Sequence, residues 1–324
     1  MKRAIASLIG ALSVLVWTLI ALGQQAPRVP AIGWLAMSAG PNDPAVQAFR
    51  SGMSDIGYVE GRDYRLEHRR ADNHLERLAP LAEELVRLDV AVILTATPHA
   101  TRAAMQATRT IPIVTVAHEH DPVASGLIQS FSHPGGNVTG LTIRNTQLAG
   151  KRLELLKEAI PSLTRVAAFR DSFGSAELDA LNLAAASLGI QVQPIDLSPA
   201  YDLRRAFKAA KDQRAEAIVV LGSAALYVRS RPIGAMALSN KVPTIGAYRD
   251  LVEAGGFMSY STDIKDGFYR TAYFVDRLLK GAKASDLPFE QTADVKLLIN
   301  AKAAQAIGIT VPQSILLRAD EVVR

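Results

Sequence analysis

Short apolar runs alternate with amphipathic stretches along most of the chain, which is the rhythm of an α/β protein. The first run is AIGWLA at 31–36, after which Asp43 and Pro44 begin a predicted helix that ends at Gly57. Further strands are predicted at 64–68, 90–94 and 111–116, and helices at 74–88 and from Pro98. Since these apolar runs are continuous rather than alternating, they indicate parallel strands buried on both faces.

The second half of the chain repeats the first. Residues 166–197 follow the pattern of 31–68, and residues 217–248 follow that of 91–116. The offset is about 130 residues throughout, which predicts two similar α/β lobes rather than one long sheet.

Three segments are predicted to cross between these lobes, namely 137–143, 256–261 and 291–299. The helix predicted at 264–280 carries Phe268, Ala272, Val275 and Leu279 on one side, and we expect it to pack on the first lobe. The predicted division is 29–140 plus 259–287 for the first lobe and 141–258 plus 288–324 for the second. A cleft between two such lobes is a natural ligand site.

The N-terminus has the pattern of a secretory signal peptide, predicted at 1–23. A basic start, MKR, precedes an uncharged run from Ala4 to Leu22 and a small-x-small cleavage pattern. The run is about long enough to span a bilayer, so an uncleaved membrane anchor is the alternative. Both predict a periplasmic or other extracytoplasmic location, which the absence of cysteine fits.

Composition excludes several classes of function. With no cysteine in the chain, disulfides and thiolate catalysis are ruled out. The net charge of +5 is small and its basic residues are dispersed among acids, so no nucleic-acid partner is expected. No serine-nucleophile elbow or compelling carboxylate pair is present, and neither an enzymatic activity nor a cofactor is predicted.

Ligands of open α/β sheets bind beyond the carboxyl ends of the strands, beside helix N-termini. This rule selects loops at 38–42, 95–98 and 118–121 in the first half and at 170–175, 221–224 and 247–250 in the second. Their candidate ligand-binding residues are Ser38, Thr95, Thr97, Asp121, Ser172, Phe173, Ser223 and Tyr248. Hydroxyls suit a carboxylate, Asp121 an amine, and the two rings an apolar group. The alternative is that most of them are turn and cap residues.

The segment HEHDPVASGLIQSFSHPGGNVTG (118–140) has two further interpretations. His118 and His120 suggest a metal site, but no other histidine is placed to complete it, so no metal is expected. PGGNVTG suggests a phosphate loop, but it lacks the lysine and precedes a strand. We expect Asp121 and Pro122 to begin a helix over 122–132 that ends at the glycines.

Five stretches in order carry a resemblance to a known family. They are GYVEGRDYRLEHR (57–69), HDPVASGLIQSFSHPGGNVTGLT (120–142), GKRLELLKEAIPS (150–162), VPTIGAYRDLVEAGGFMSY (242–260) and LLKGAKASDLPFEQTADVKLLINAKAAQAIGITVP (278–312). Together they resemble the bacterial ABC-transporter substrate-binding proteins akin to the tryptophan-binding, TrpX-like members. The resemblance covers essentially the whole mature chain.

This resemblance implies a type I periplasmic binding protein fold, in which two Rossmann-like lobes joined by a three-strand hinge close on a small molecule. It implies a monomeric solute-binding component of an ABC importer, acting with permease and ATPase subunits. The expected solute is an amino acid, aromatic in known members, or a related carboxylate. An extracytoplasmic sensor acting with a membrane receptor is one alternative, and a metal-dependent hydrolase is another.

Overall fold

The computed structural model describes residues 29–117, 122–143, 145–171, 175–198, 200–292 and 294–324. The first sheet contains β1 (Ala31–Ala36), β2 (Arg65–Arg70), β3 (Val92–Thr95), β4 (Ile113–Ala117), β5 (Val138–Thr142) and β11 (Glu290–Gln291). The second contains β6 (Arg165–Arg170), β7 (Gln191–Asp196), β8 (Ala217–Val220), β9 (Thr244–Gly246), β10 (Met258–Ser261), β12 (Lys296–Asn300) and β13 (Glu321–Val323). The signal peptide predicted at 1–23 lies outside the described residues.

Helices follow most of the strands. They are α1 (Pro44–Asp55), α2 (Leu78–Arg87), α3 (Pro98–Ala107), α4 (Asn145–Ala159), α5 (Ser175–Leu188), α6 (Leu203–Asp212), α7 (Ala224–Tyr227), α8 (Ser230–Ser239), α9 (Arg249–Glu253), α10 (Ile264–Leu279), α11 (Ala301–Ala306) and α12 (Gln313–Leu316). Within the ranges above, none of these helices is long and apolar enough to cross a membrane.

Five strands of each sheet share one topology, which confirms the predicted repeat. Their spatial orders are β2-β1-β3-β4-β5-β11 and β7-β6-β8-β9-β10-β12-β13, so the first five strands of each lobe occupy matching positions. Pairing is parallel except between β10 and β12. The central strands β1 and β8 are wholly buried, whereas the edge strands β2 and β7 are largely polar and partly exposed. The predicted α/β class is therefore confirmed.

Helix α10 returns the chain to the first lobe and packs along α1, as its apolar face predicts. Phe268, Ala272 and Val275 are buried there. The contact is so close that a Cβ on Gly52 would lie 2.5 Å from the carbonyl oxygen of Tyr269. Glycine is thus required by the distance between the two helices.

The chain passes between the sheets after β5, after β10 and after β11. Thr292 joins all three crossings. Its amide and its hydroxyl both donate to the Thr142 carbonyl oxygen at 3.1 Å, and its hydroxyl lies 3.4 Å from that of Thr262. The crossings begin within a few residues of the predicted lobe boundaries, which stay predictions.

The helix predicted over 122–132 is wrong, because this segment forms consecutive turns. Gly126 has a φ of 72°, in the left-handed region that interrupts a helix. The amide of Gln129 then donates to the carbonyl oxygen of Pro134, closing a turn instead of continuing a helical ladder. Leu127 and Ile128 are buried by this arrangement.

Candidate functional site

A cleft lies where the carboxyl ends of β1 and β3 in the first lobe face those of β6 and β8 in the second. It has two chambers, which open to solvent and share Met37 and Thr97 as lining residues. Side chains from both lobes line each chamber, so a molecule bound there would touch the two lobes at once.

The smaller chamber, here called the aromatic chamber, is mostly apolar. Trp34 and Phe268 of the first lobe stack with their ring centroids 5.3 Å apart, and Tyr227 lines the chamber from the second lobe. Its remaining lining residues are Ala36, Met37, Ser38, Ala39, Asp43, Ala45, Ala96, Thr97, Val228 and Ile264. Such a wall suits a flat or bulky apolar group.

Two buried donors belong to this wall. In the described part of the chain, neither Nε1 of Trp34 nor the hydroxyl of Tyr227 has a hydrogen-bond partner. Burial, with the nearby Asp250 and Asp43 carboxylates, raises the pKa of Tyr227, so its hydroxyl remains protonated. Buried donors of this kind normally have an acceptor.

The larger chamber, here called the mixed chamber, carries more polar groups. Asp171, Tyr201 and Ser223 line it from the second lobe, opposite Thr97 and His99 of the first. Asp171 is 1% exposed, so its side chain is buried at the edge of this chamber. The remaining lining residues are Met37, Asn73, Leu75, Pro98 and Ala225.

Two helices of the first lobe begin at the cleft, and their ends differ in charge. The Asp43 carboxylate caps α1 by accepting from the Ala45 amide at 2.9 Å, whereas the neutral Thr97 hydroxyl caps α3 by accepting from the Ala100 amide at 3.2 Å. Burial is the main cause that raises the pKa of Asp43. A helix N-terminus favours a nearby negative charge. Of these two helices, α1 already has a carboxylate at its cap and α3 does not.

Three of the predicted site residues line the cleft. Ser38 lies in the aromatic chamber, Ser223 in the mixed chamber, and Thr97 in both. Thr97 and Ser223 are also helix caps, since the Ser223 hydroxyl accepts from the Leu226 amide at 3.1 Å. The two predicted roles, cap and cleft residue, therefore coincide.

Thr95 and Tyr248 are placed differently, since neither is among the lining residues of the two chambers. The Thr95 hydroxyl lies 2.8 Å from that of Thr101, inside the first lobe. Tyr248 is 3% exposed and its hydroxyl donates to the Ser223 carbonyl oxygen at 2.7 Å while accepting from the Ser223 amide. Tyr248 thus supports the loop at Gly222–Ser223 through these hydrogen bonds, without lining either chamber.

The other three candidates, Asp121, Ser172 and Phe173, lie outside the described residues and stay predictions. His118 and His120 lie outside them too. Across the described ranges no group of three or more acidic residues and histidines is arranged to hold a metal ion.

Sequence reasoning missed most of the aromatic chamber. Asp171 lies in the predicted loop 170–175 but was not among the candidate residues, and Met37 directly precedes the predicted loop 38–42. Trp34, Tyr227 and Phe268 gave no such signal, because a strand interior and two helices supply them.

Residues 36–323 match the sequence profile described as ABC transporter substrate binding protein. A tyrosine-binding protein of Clostridioides difficile is 24% identical over 271 residues, covering 82% of this chain and 77% of the relative. A solved conserved domain protein of Vibrio cholerae is 25% identical with a TM-score of 0.81, covering 91% of this chain and 100% of its own.

A Streptococcus pneumoniae ABC domain, solved in complex with L-Trp, is 24% identical with a TM-score of 0.80 over 91% of this chain and 99% of its own. The two solved structures share this chain's two-lobed architecture, which confirms the predicted type I periplasmic binding protein fold. Since the profile spans nearly all the described residues, the resemblance is confirmed too, and the chain belongs to the ABC transporter substrate-binding protein family.

Proposed function

We propose that this protein is the extracytoplasmic solute receptor of an ABC importer and that it binds an amino acid with a large apolar or aromatic side chain, or a related carboxylate. The observation that carries the proposal is the aromatic chamber, in which Trp34, Phe268 and Tyr227 form an apolar wall contributed by both lobes. Burying such a side chain against these rings favours binding by about 25 cal/mol per Å² of apolar surface removed from water.

The ends of the cleft suit the two charges of an amino acid. A carboxylate is favoured at the N-terminus of α3, where Thr97 is a neutral cap. Asp171, across the mixed chamber, is a carboxylate partner for an ammonium group. The names of two relatives support the same class, since one is a tyrosine-binding protein and another was solved with L-Trp.

Solute binding is proposed to stabilise the closed arrangement of the lobes, because a molecule touching both lobes has more contacts there than in an open one. Lys265 of the first lobe and Asp250 of the second lie 3.6 Å apart and add one ion pair across the cleft. The closed form would then be recognised by a permease with its ATPase. The protein is proposed to act as a monomer, without enzymatic activity or cofactor, after export by the predicted signal peptide.

Calorimetric titration of the purified protein with a panel of amino acids tests the ligand class. L-tryptophan or L-tyrosine should bind, while glycine and L-aspartate should not. If no amino acid with a large apolar side chain binds, the proposed ligand class is wrong.

A matched pair of variants tests the location. Phe268→Ala should lower the affinity at least tenfold, because the aromatic wall loses a ring. Phe289→Ala removes an equally buried ring of the first lobe, each residue being 3% exposed, but it packs on Phe131 away from the cleft. Equal affinities of the two variants would refute the aromatic chamber as the site.

A further inference from the structure

A charged pair is buried inside the second lobe, behind the cleft. The side chains of Arg152 and Glu177 are 0% and 1% exposed, and Nη1 of Arg152 lies 2.5 Å from Oε1 of Glu177. Burial raises the pKa of Glu177, and the guanidinium of Arg152 opposes that rise. Removing one partner of such a pair would leave an uncompensated charge in the interior.

Arg152 also contacts two of the three crossings at their second-lobe ends. Its Nη2 donates to Oδ1 of Asn145 at 2.8 Å, at the start of α4, directly after the first crossing. Its Nε donates to the carbonyl oxygen of Tyr260 at 2.9 Å, in β10, directly before the second crossing. One guanidinium therefore joins two of the three chain segments that connect the lobes.

Glu177 extends the same network to the cleft. Its Oε2 accepts from the Gly222 amide at 2.6 Å, and Gly222 precedes Ser223, which lines the mixed chamber. Gly222 also packs directly on the Asn145 side chain, since a Cβ at this position would overlap the Asn145 amide group. The cleft loop and the hinge are thus joined both through the ion pair and by direct contact.

We propose that Arg152 and Glu177 are positioning residues for solute binding, which hold the cleft loop Gly222–Ser223 in a fixed relation to the hinge at Asn145 and Tyr260. Neither residue lines the cleft, so their effect on the solute acts through that loop and through the range of lobe orientations that the hinge allows. The part that concerns solute affinity rests on the proposed function, whereas the part that concerns lobe orientation does not.

The test measures lobe orientation and affinity separately. The chain has no cysteine, so Glu76→Cys and Arg204→Cys supply two unique spin-label positions. Both are exposed, close in sequence to Leu75 and Tyr201 on opposite sides of the mixed chamber. Pulsed electron resonance then gives the distribution of distances between the lobes, with and without L-tryptophan as the probe.

Glu177→Gln places an amide where Arg152 and Gly222 both donate hydrogen bonds. We expect it to broaden the distance distribution without ligand and to weaken L-tryptophan binding at least tenfold. Leu181→Ala is the control, because it creates a cavity in the same helix, α5, at a residue that is 0% exposed and belongs to the apolar core. Even where Leu181→Ala lowers the unfolding midpoint as much as Glu177→Gln does, it should leave the distance distribution and the L-tryptophan affinity unchanged.

Asn145→Ala keeps the Arg152–Glu177 ion pair and replaces Glu177→Gln in the test if that variant does not fold. It should also broaden the distribution of distances between the lobes. A wild-type distribution in a folded Glu177→Gln or Asn145→Ala variant would overturn the proposal, as would an equal broadening in Leu181→Ala. If the wild-type protein does not bind L-tryptophan, the calorimetric panel decides the proposed ligand class, and the distances alone then decide the role of the pair.

Discussion

Tyr248→Phe distinguishes a residue that stacks on the solute from one that supports the cleft. The substitution keeps the ring and removes the hydroxyl, which accepts from the Ser223 amide and donates to its carbonyl oxygen. A typical hydrogen bond contributes about 1 kcal/mol, and a buried donor left without an acceptor costs about 1–3 kcal/mol. We therefore expect the free energy of unfolding to fall by about 2–3 kcal/mol, which lowers the midpoint by about 3–5 °C.

Tyr227→Phe is the matched control. The two rings lie 5.5 Å apart and are similarly buried, but within the described part of the chain the Tyr227 hydroxyl has no hydrogen-bond partner. By the same reasoning its removal takes away an unpaired buried group, so the unfolding free energy should rise, by up to about 1–3 kcal/mol. If this hydroxyl donates to the solute instead, the affinity should fall about tenfold.

Thermal unfolding followed by circular dichroism and calorimetric titration with L-tryptophan would measure the two effects. Equal midpoints for Tyr248→Phe and Tyr227→Phe would refute the supporting role of Tyr248. A stable Tyr248→Phe variant with unchanged affinity would instead favour the stacking role predicted from the sequence.

Three other perturbations test the packing and electrostatics of the first lobe and the cleft. Gly52→Ala should lower the free energy of unfolding, measured by urea denaturation, by about 1–3 kcal/mol. Although alanine favours helices, its Cβ would overlap the backbone of Tyr269 where α1 and α10 meet. A variant more stable than wild type would contradict this. Burial lowers the pKa of His68 to about 4 in the folded protein. Between pH 6.5 and 4 this histidine is therefore protonated in the unfolded chain but neutral in the folded protein, so the free energy of unfolding should fall by about 2 kcal/mol over that range. In His68→Gln the fall in unfolding free energy between pH 6.5 and 4 should be smaller. An unchanged pH dependence would refute its attribution to His68. Lys265→Met should weaken solute binding about two- to fivefold at low salt and by less in 1 M NaCl, since it removes the partly buried ion pair to Asp250. A salt-independent loss would argue against the pair.

Several properties follow from the sequence because they depend on local pattern. Continuous apolar runs predict buried parallel strands, and β1 and β8 are wholly buried. The repeat predicts two matching lobes, because similar patterns bury similar faces. Helix caps such as Asp43 and Thr97 are also readable, since a cap is a contact between residues two or three positions apart.

Only the tertiary structure decided which side chains face the cleft. Trp34 and Phe268 are more than 200 residues apart in the chain and meet because α10 returns to the first lobe, whereas Tyr227 reaches the same chamber from the second. Tyr248 is the opposite case: it follows a strand end, where a cleft residue was predicted, but its hydroxyl bonds to Ser223 of a neighbouring loop instead. The physical reason is that local pattern determines which residues are buried, while the packing of distant segments determines what each buried side chain touches.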